Sequence, residues 1–324
     1  MRALVCHEYG GLDNLSIEDW DAPAPGDDEV LVEVRAAGLN FPDLLTIAGK
    51  YQVKTQPPFI PGIEAAGVVS AAGENVIRFK PGDRVILTTQ GGAFAEQCVV
   101  NQDRVMPLPD SLNFEQGAGF AITYATSYHA FRQRAPIESG QTVLVLGAAG
   151  GVGTTAVEIA KAMGARVIAA AGSPEKLDFI REVGADDTVN YSEHSLKDEV
   201  RKLTDGRGAD IIYDPVGGEL ARQALSALAW DGRYLVVGFA AGEIPAFPLN
   251  LLLLKEARVI GVYWGDWAAR NPADATSNMH EVAELVMKGR LSPRITAAIP
   301  LADYEEAFSA LATRRAMGKV VLTF

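Results

Sequence analysis

The spacing of hydrophobic and polar residues changes near the middle of the chain. From residue 1 to about residue 122, short apolar runs are interrupted by Gly, Pro, Asp and Asn, which is typical of strands joined by turns. From about residue 141 to residue 264, strand-like runs alternate with amphipathic stretches of helical period. This alternation predicts a parallel, doubly wound sheet. Its predicted strands are TVLVLG, RVIAAAG, DDTVNY, ADIIYD, RYLVVGF and RVIGVYW.

The region after Trp264 has a mixed pattern. Helical spacing occurs in MHEVAELVMKG and LADYEEAFSALATRR, and the last residues, GKVVLTF, have a strand pattern. We expect this last strand to return to the first part of the chain. The sequence therefore predicts an α/β protein with a β-rich domain at residues 1–122, a doubly wound domain at residues 123–265, and residues 266–324 as a segment that completes the first domain.

The first strand of the predicted doubly wound sheet leads into a glycine-rich turn, VLVLGAAGGVG. Glycine lets the backbone and the start of a helix approach a pyrophosphate, whose charge the free amides and the helix dipole then meet. The spacing is not a strict GxGxxG, but the order of strand, turn and helix favours a dinucleotide site over a turn that only packs helix on sheet. The predicted contacts are Ala149, Gly150, Gly151 and Val152.

The second predicted strand ends without an acidic residue, in AAAGSPEKL. An Asp or Glu here would accept from an adenosine ribose 2′-hydroxyl and repel a 2′-phosphate. Ser173 and Lys176 instead offer a hydroxyl and an ammonium, which favours NADPH over NADH, with Gly172 and Tyr191 as further contacts. The alternative is that Ser173 only caps a helix that starts at Pro174, and both roles can coexist.

The formal net charge of −12 argues against a nucleic acid or an anionic membrane as partner, because both attract clustered Lys and Arg. The first residues lack the apolar stretch of a signal peptide, and LNLLLL is too short to span a bilayer. Only two cysteines occur, Cys6 and Cys98, which fits a reducing compartment. We therefore expect a cytoplasmic protein with a small-molecule substrate.

The chain resembles the medium-chain dehydrogenase/reductase superfamily, in particular its zinc-free NADPH:quinone oxidoreductase branch. The stretches that carry the resemblance are AAGLNFPDLLTIAGKY, PGIEAAGVV, KPGDRV, LGAAGGVG, YDPVGG and GKVVL. The resemblance implies a GroES-like substrate domain and a Rossmann domain that binds NADPH. It also implies a homodimer formed edge to edge by the Rossmann sheets, with RVIGVYW as the candidate edge strand.

Two positions that hold zinc ligands in the zinc alcohol dehydrogenases of this superfamily carry other residues here. Asn40 stands in GLNFPD in place of a Cys, and Ile63 stands in GIE in place of a His. Catalytic zinc needs three protein ligands, and two cysteines cannot form a four-Cys structural site. We therefore predict no metal, and we expect Glu64 to be a structural hydrogen-bonding carboxylate.

Hydride transfer without zinc requires that the nicotinamide and the acceptor be held in contact and that donors meet the charge on the acceptor oxygen. The resemblance implies that Asn40 lies near the nicotinamide and substrate, and that Tyr51 matches the proton donor of related enoyl thioester reductases. The alternatives are an Asn that stabilises a turn and a Tyr at the edge of the core. Further implied cofactor contacts are Thr126, Phe239, Val262, Tyr263 and one of Arg314, Arg315 and Lys319.

The sequence thus predicts an NADPH-dependent reductase that transfers a hydride to a quinone or similar conjugated carbonyl. An enoyl thioester or enone reductase is the alternative, although Lys54 in YQVKTQPPFIP lies in no basic cluster that would hold coenzyme A. A different class of function is an NADPH-binding protein without catalysis, either a redox sensor or a structural protein.

Overall fold

The computed structural model describes residues 1–324 and divides into two compact units. Unit 1 contains Met1–Ile122 and Pro293–Phe324, and unit 2 contains Thr123–Ser292. Each unit has its own sheet and its own hydrophobic core. The α/β fold class predicted from the sequence is confirmed.

Unit 1 is built around a seven-stranded sheet with a separate two-stranded sheet. Its strands are β1 (Arg2–Cys6), β2 (Leu15–Asp19), β3 (Glu29–Gly38), β4 (Glu64–Ala72), β5 (Arg84–Thr88), β6 (Gln97–Asn101), β7 (Val105–Pro107), β14 (Ile295–Pro300) and β15 (Lys319–Thr323). The order in the large sheet is β14-β15-β3-β4-β5-β7, and β6 also pairs with β3. Its helices are α1 (Phe41–Ile47), α2 (Phe114–Ala118) and α11 (Tyr304–Ala312).

Unit 2 contains a six-stranded parallel sheet with the order β10-β9-β8-β11-β12-β13. Its strands are β8 (Thr142–Leu146), β9 (Arg166–Ala171), β10 (Asp187–Asn190), β11 (Ala209–Asp214), β12 (Leu228–Val236) and β13 (Arg258–Gly261). Numbered within this unit, the order is 3-2-1-4-5-6, the Rossmann arrangement. Every predicted strand of the doubly wound sheet is therefore present. All five residues of β8 are buried, which is why this strand is a continuous apolar run.

The helices of unit 2 follow the strands as expected for a doubly wound sheet. They are α3 (Ala121–His129, which starts in unit 1), α4 (Gly151–Ala162), α5 (Pro174–Val183), α6 (Leu196–Leu203), α7 (Gly218–Ser226), α8 (Leu249–Lys255), α9 (Trp264–Arg270) and α10 (Pro272–Met287). Local sequence signals set their ends: α5 has Ser173 at the N-cap, a proline at its first position, and Gly184 with φ +122° after its last residue. No helix is both long enough and apolar enough to cross a membrane.

The second domain boundary predicted from the sequence needs correction. The division falls between Ser292 and Pro293 instead of near residue 265, so α9 and α10 belong to unit 2. The hydroxyl of Tyr128 bonds to Glu281, and the Ser292 amide donates to Glu158 over 3.0 Å. Helical spacing predicted part of α10 but not α9, and it does not show which core an apolar helix face covers.

The last strand of the chain lies in unit 1, where β15 pairs antiparallel with β3 and parallel with β14. Val321 is opposite Gly38, the last residue of β3, and the Leu39 amide donates to the Val320 carbonyl, so the start of β15 lies beside the residues that follow β3. The N-cap of α1 is Asn40, two residues after β3. The sheet pairing therefore brings the start of β15 close to the start of α1.

Candidate functional site

The glycine-rich turn after β8 forms a tight bend that only glycine accommodates at two positions. Gly147 has φ +55°, and a Cβ built on it would lie 2.8 Å from Cγ2 of Val216. A Cβ on Gly153 would lie 2.3 Å from the carbonyl oxygen of Gly147. These two glycines are required by the fold, since they let α4 start close to the end of β8.

Gly150 is different, because the fold alone does not require a glycine there. It is the N-cap of α4 with φ −81°, and the nearest heavy atom to a Cβ built on it is 3.4 Å away, an ordinary contact. A side chain at this position would fill open space at the start of a helix whose first turn contains no acidic residue. That space would suit a pyrophosphate, because the helix dipole and the amides in the first turn of α4 would face an anion placed there.

The ends of β9 and β10 bring together several residues predicted to bind a 2′-phosphate. A Cβ built on Gly172 would lie 3.2 Å from the hydroxyl of Tyr191, and Ser192 Oγ donates to the Gly172 carbonyl over 2.9 Å. Ser173 Oγ accepts from the Lys176 amide at 3.5 Å, so Ser173 is a helix cap and its hydroxyl proton is left to donate elsewhere. Ser192 was not predicted, and its position after Tyr191 was the only signal for it.

The other predicted cofactor contacts of unit 2 lie on different elements. Thr126 is on α3, and Phe239 follows β12 and lies beside Gly217, whose built Cβ would be 3.0 Å from the ring. Val262 is buried after β13, and its amide bonds to the Val236 carbonyl. Tyr263 is exposed at the N-cap of α9. Phe239, Val262 and Tyr263 therefore follow the carboxyl ends of adjacent parallel strands, the edge at which doubly wound sheets bind ligands.

Unit 1 contains a buried cluster of polar side chains at the start of α1. The Lys319 ammonium donates to Glu64 Oε1 and to Asn40 Oδ1, both over 2.6 Å. Asn40 Nδ2 donates to Glu64 Oε1 at 2.9 Å, and the Ile122 amide donates to Glu64 Oε2 at 2.9 Å. Glu64 is completely buried, and Lys319 is 6% exposed. The expected structural role of Glu64 is what the structure shows.

This cluster concerns two residues that the sequence predicted as site residues, Asn40 and Lys319. An ammonium only donates and a carboxylate only accepts, so Asn40 must direct its oxygen at Lys319 and its amide nitrogen at Glu64. The second hydrogen of this amide group is donated to the Gly38 carbonyl at 3.2 Å, so both donors of the Asn40 side chain have partners within unit 1, and its contact with a substrate stays a prediction. Lys319 donates two of its three ammonium hydrogens to the same cluster, and its assignment as a cofactor contact stays a prediction. The sequence could not show that residue 319 would lie beside residue 40.

Asp43 completes the cluster and was missed in the sequence. Its carboxylate accepts a hydrogen bond of 2.7 Å from the backbone N–H of Asn40. This bond is one half of a capping box that fixes the start of α1. Asp43 is 1% exposed, and burial raises its pKa to about 7, although the Asn40 amide and the Lys319 charge act in the opposite direction. The spacing of Asn40 and Asp43 in NFPD was the sequence signal that could have identified it.

Tyr51 and the predicted basic residues lie after helices in unit 1. The Tyr51 amide bonds to the Leu45 carbonyl over 3.1 Å, so this residue is anchored to the last turn of α1. Arg314 follows α11 with φ +56°, and the Arg315 guanidinium bonds to Thr313 Oγ1 at 3.0 Å. The backbone position of Tyr51 therefore depends on α1, the helix whose N-cap is Asn40.

Ile63 and Asn40 stand at the two positions that hold zinc ligands in the zinc alcohol dehydrogenases. The Ile63 side chain offers no ligand atom, and the Asn40 side chain bonds to Gly38, Glu64 and Lys319 within the cluster. The structure contains no group of three or more His, Cys, Asp or Glu side chains that could hold a metal ion.

Comparison with known proteins agrees with the division of the chain into two units. Residues 26–110 match the family described as alcohol dehydrogenase GroES-like domain, and residues 151–284 match the family described as zinc-binding dehydrogenase. A GroES-like domain joined to a Rossmann sheet with a glycine-rich first turn defines a class of two-domain dehydrogenases and reductases.

Within that class, the chain belongs to the medium-chain dehydrogenase/reductase superfamily and resembles its quinone oxidoreductases. It is 40% identical to a quinone oxidoreductase-like protein 2 homolog of Nematostella vectensis, over 99% of this chain and 88% of that protein. The structure of Escherichia coli quinone oxidoreductase complexed with NADPH is similar, with a TM-score of 0.93, 28% identity and full coverage of both chains. CurK enoyl reductase has a TM-score of 0.90 and 28% identity, with 99% of this chain and 98% of that chain covered.

The raised pKa of Asp43 predicts a pH dependence of stability. Between about pH 4 and 7 the folded protein keeps the Asp43 proton that the unfolded chain has released, so the free energy of unfolding falls as pH rises. The contribution is at most about 1.4 kcal/mol per pH unit. Asp43→Asn cannot titrate, so the stability of this variant relative to the wild type should increase from pH 4.5 to 7.5.

Urea unfolding at several pH values measures this difference. Asp103→Asn, which removes a carboxylate that is 85% exposed, controls for the change in net charge. Parallel pH profiles for the wild type and Asp43→Asn would contradict the assignment of a proton to Asp43.

Proposed function

We propose that this protein is an NADPH-dependent oxidoreductase that transfers a hydride to a quinone or a similar conjugated carbonyl, without zinc. The observation that carries the proposal is the acid-free end of β9, where Gly172, Ser173 and Tyr191 lie together. A 2′-phosphate would meet hydroxyl donors and the Lys176 ammonium there, and no carboxylate of β9 would repel it.

The chain's own residues would orient the cofactor at the carboxyl edge of the parallel sheet. The amides at the start of α4 hold the pyrophosphate, and Gly150 leaves it room. Phe239, Val262 and Tyr263 are proposed to hold the nicotinamide end, and Thr126 its ribose or amide. Bound NADPH supplies the hydride from C4 of its nicotinamide.

The cluster in unit 1 supports a mechanism without zinc. The Lys319 ammonium already neutralises Glu64 and bonds to Asn40, so a divalent cation beside these groups would meet a like charge. We propose that the cluster instead fixes the start of α1 and thereby Tyr51, which follows the end of this helix. Tyr51 or water then donates the proton to the reduced acceptor. During hydride transfer to a quinone, hydrogen-bond donors are enough to stabilise the charge on its oxygen, and water can supply the proton.

Reduction of an enone or an enoyl thioester is the second candidate. The structural likeness to CurK enoyl reductase favours it, and Tyr51 would then be the obligatory proton donor. Binding of NADPH without turnover is the remaining outcome, and the acceptor assay below separates the three.

We also propose that the protein is cytoplasmic. Both cysteines are buried and unpaired, which supports a reducing compartment.

We further propose a homodimer formed by pairing of β13 from two copies. β13 is an edge strand on which Val259 is 39% exposed, and Leu253 on α8 and Trp230 are 79% and 64% exposed. An open strand edge near exposed apolar side chains suits a self-complementary, two-fold interface.

Lys176→Ala should weaken NADPH binding and leave NADH binding nearly unchanged. The loss of a charge-assisted contact to phosphate costs about 1.5 to 3 kcal/mol, or about 10- to 150-fold in the dissociation constant. Fluorescence titration with both cofactors measures this, with Lys202→Ala on α6 as the control. Unchanged discrimination between the cofactors would remove Lys176 from the phosphate site.

Initial rates on protein treated with a chelator test the proposed reaction. We expect NADPH oxidation with 9,10-phenanthrenequinone and benzoquinone to be faster than with an alkyl enone or crotonyl-CoA. Preference for crotonyl-CoA would make the second candidate correct. Tight NADPH binding without turnover of any acceptor would favour the binding protein, and activity restored only by Zn²⁺ would contradict the zinc-free mechanism.

Tyr51→Phe should slow reduction of the enone by about 10²-fold, because a general acid is lost, but it should slow quinone reduction only slightly. Tyr304→Phe, which removes a hydroxyl that bonds to the Leu15 carbonyl, is the matched control in unit 1. Small and equal effects of Tyr51→Phe on both acceptors would exclude Tyr51 as the donor.

Val259→Lys should convert the dimer to a monomer, because a charged side chain on an edge strand opposes pairing. Sedimentation velocity of the variant and the wild type measures this. A wild-type protein that sediments as a monomer at micromolar concentration would exclude the proposed dimer.

A further inference from the structure

A buried carboxylate at the end of β11 has no role in the site described above. Asp214 is 2% exposed, and its Oδ1 accepts from the amides of Val216 and Gly217 at 2.7 and 2.9 Å. Its Oδ2 accepts from the hydroxyl of Tyr234, a fully buried residue of β12, at 2.6 Å. One side chain therefore joins two adjacent strands to the turn that follows β11.

Burial raises the pKa of Asp214, and the hydrogen bonds from Tyr234 and the two amides oppose this rise. Burial and the neighbouring carboxylate also raise the pKa of Tyr234, so its hydroxyl stays protonated and donates. Such a buried group needs all of its partners, because an unsatisfied amide or carboxylate in the core is costly. The conformation of the turn is thereby fixed.

The turn held by Asp214 lies between two segments assigned to cofactor binding. A Cβ built on Gly147 would lie 2.8 Å from Cγ2 of Val216, so the Val216 side chain packs on the first glycine of the dinucleotide turn. Gly217 has φ +72°, and a Cβ on it would be 3.0 Å from the Phe239 ring. A side chain on Gly217 would therefore disturb the Phe239 segment.

Backbone hydrogen bonds strengthen the connection to that segment. The amides of Ala240 and Ala241 donate to the carbonyls of Pro215 and Val216 at 3.0 and 2.8 Å, and the Val237 amide donates to the Asp214 carbonyl at 2.9 Å. A shift of the turn would therefore move both the Gly147 bend and the loop that carries Phe239.

We infer that Asp214 is a positioning residue for the nicotinamide dinucleotide. It aligns the glycine turn that is proposed to hold the pyrophosphate with the Phe239 loop that is proposed to hold the nicotinamide end. Asp214 itself does not touch the cofactor, and it acts through Val216 and Gly217. This inference rests on the proposed binding of NADPH by unit 2.

The test measures NADPH affinity and folding stability separately on the full-length protein. Asp214→Ala removes all three acceptor contacts, and it should raise the NADPH dissociation constant at least tenfold. Asp214→Asn retains an oxygen for the two amides and should bind NADPH within about threefold of the wild type. Fluorescence titration gives the affinities, and urea unfolding gives the folded fraction in the same buffer.

Val216→Ala is the second variant, in case Asp214→Ala does not fold. It leaves every hydrogen bond of Asp214 in place and removes only the side chain that packs on Gly147, and it should weaken NADPH binding about three- to tenfold. Asp210→Ala is the matched control, since Asp210 lies near the other end of β11 and accepts from the Thr142 amide at 2.7 Å. This control should change stability but not affinity.

Wild-type affinity in both Val216→Ala and the folded fraction of Asp214→Ala would overturn the inference and leave Asp214 with a purely structural role. If Asp214→Ala does not fold, wild-type affinity in Val216→Ala alone overturns it. A wild-type protein that fails to bind NADPH would refute the proposed function, and this inference with it. Binding that weakens as expected in a protein that reduces no acceptor would support the inference and contradict only the proposed reaction.

Discussion

The ion pair of Lys319 and Glu64 is the interaction on which unit 1 depends most. Both groups are buried, so each needs the other to offset the cost of leaving water. Lys319 is the first residue of β15, and Glu64 is the first residue of β4. Because Asn40 bonds to both, the same pair also sets the start of α1. A charge supplied near the end of the sequence thereby organises a helix near its beginning.

Unit 2 depends on a different constraint, the convergence of strand ends at one edge of a parallel sheet. The turns after β8, β9 and β11 lie at that edge, and each has its own means of holding its shape. Gly147 and Gly153 allow the first turn, Ser173 caps the second, and Asp214 fixes the third. Open backbone remains at Gly150 beside the first turn, so this edge of the sheet keeps room for a ligand.

The sequence predicted elements whose signals are local. The strands of unit 2 were apparent from apolar runs, and the start of α5 was apparent from Ser173 and Pro174, because period and cap depend on neighbouring residues. The second domain boundary was wrong because packing of α10 on unit 2 depends on contacts such as that of Tyr128 with Glu281. The bond between Asn40 and Lys319 was not apparent from the sequence for the same reason, since Lys319 is distant in sequence and its pairing depends on sheet register.

The placement of unit 2 within the sequence of unit 1 has a consequence for synthesis. Every residue of unit 2 leaves the ribosome before Pro293–Phe324, so unit 2 has its complete sequence first. The nascent form of unit 1 lacks β14 and β15 during that time, and Glu64 has no ammonium to pair with. Residues 1–122 therefore stay incompletely folded until β14 and β15 have been synthesised, and in this interval the open edge of β3 is available to chaperones or to other nascent chains.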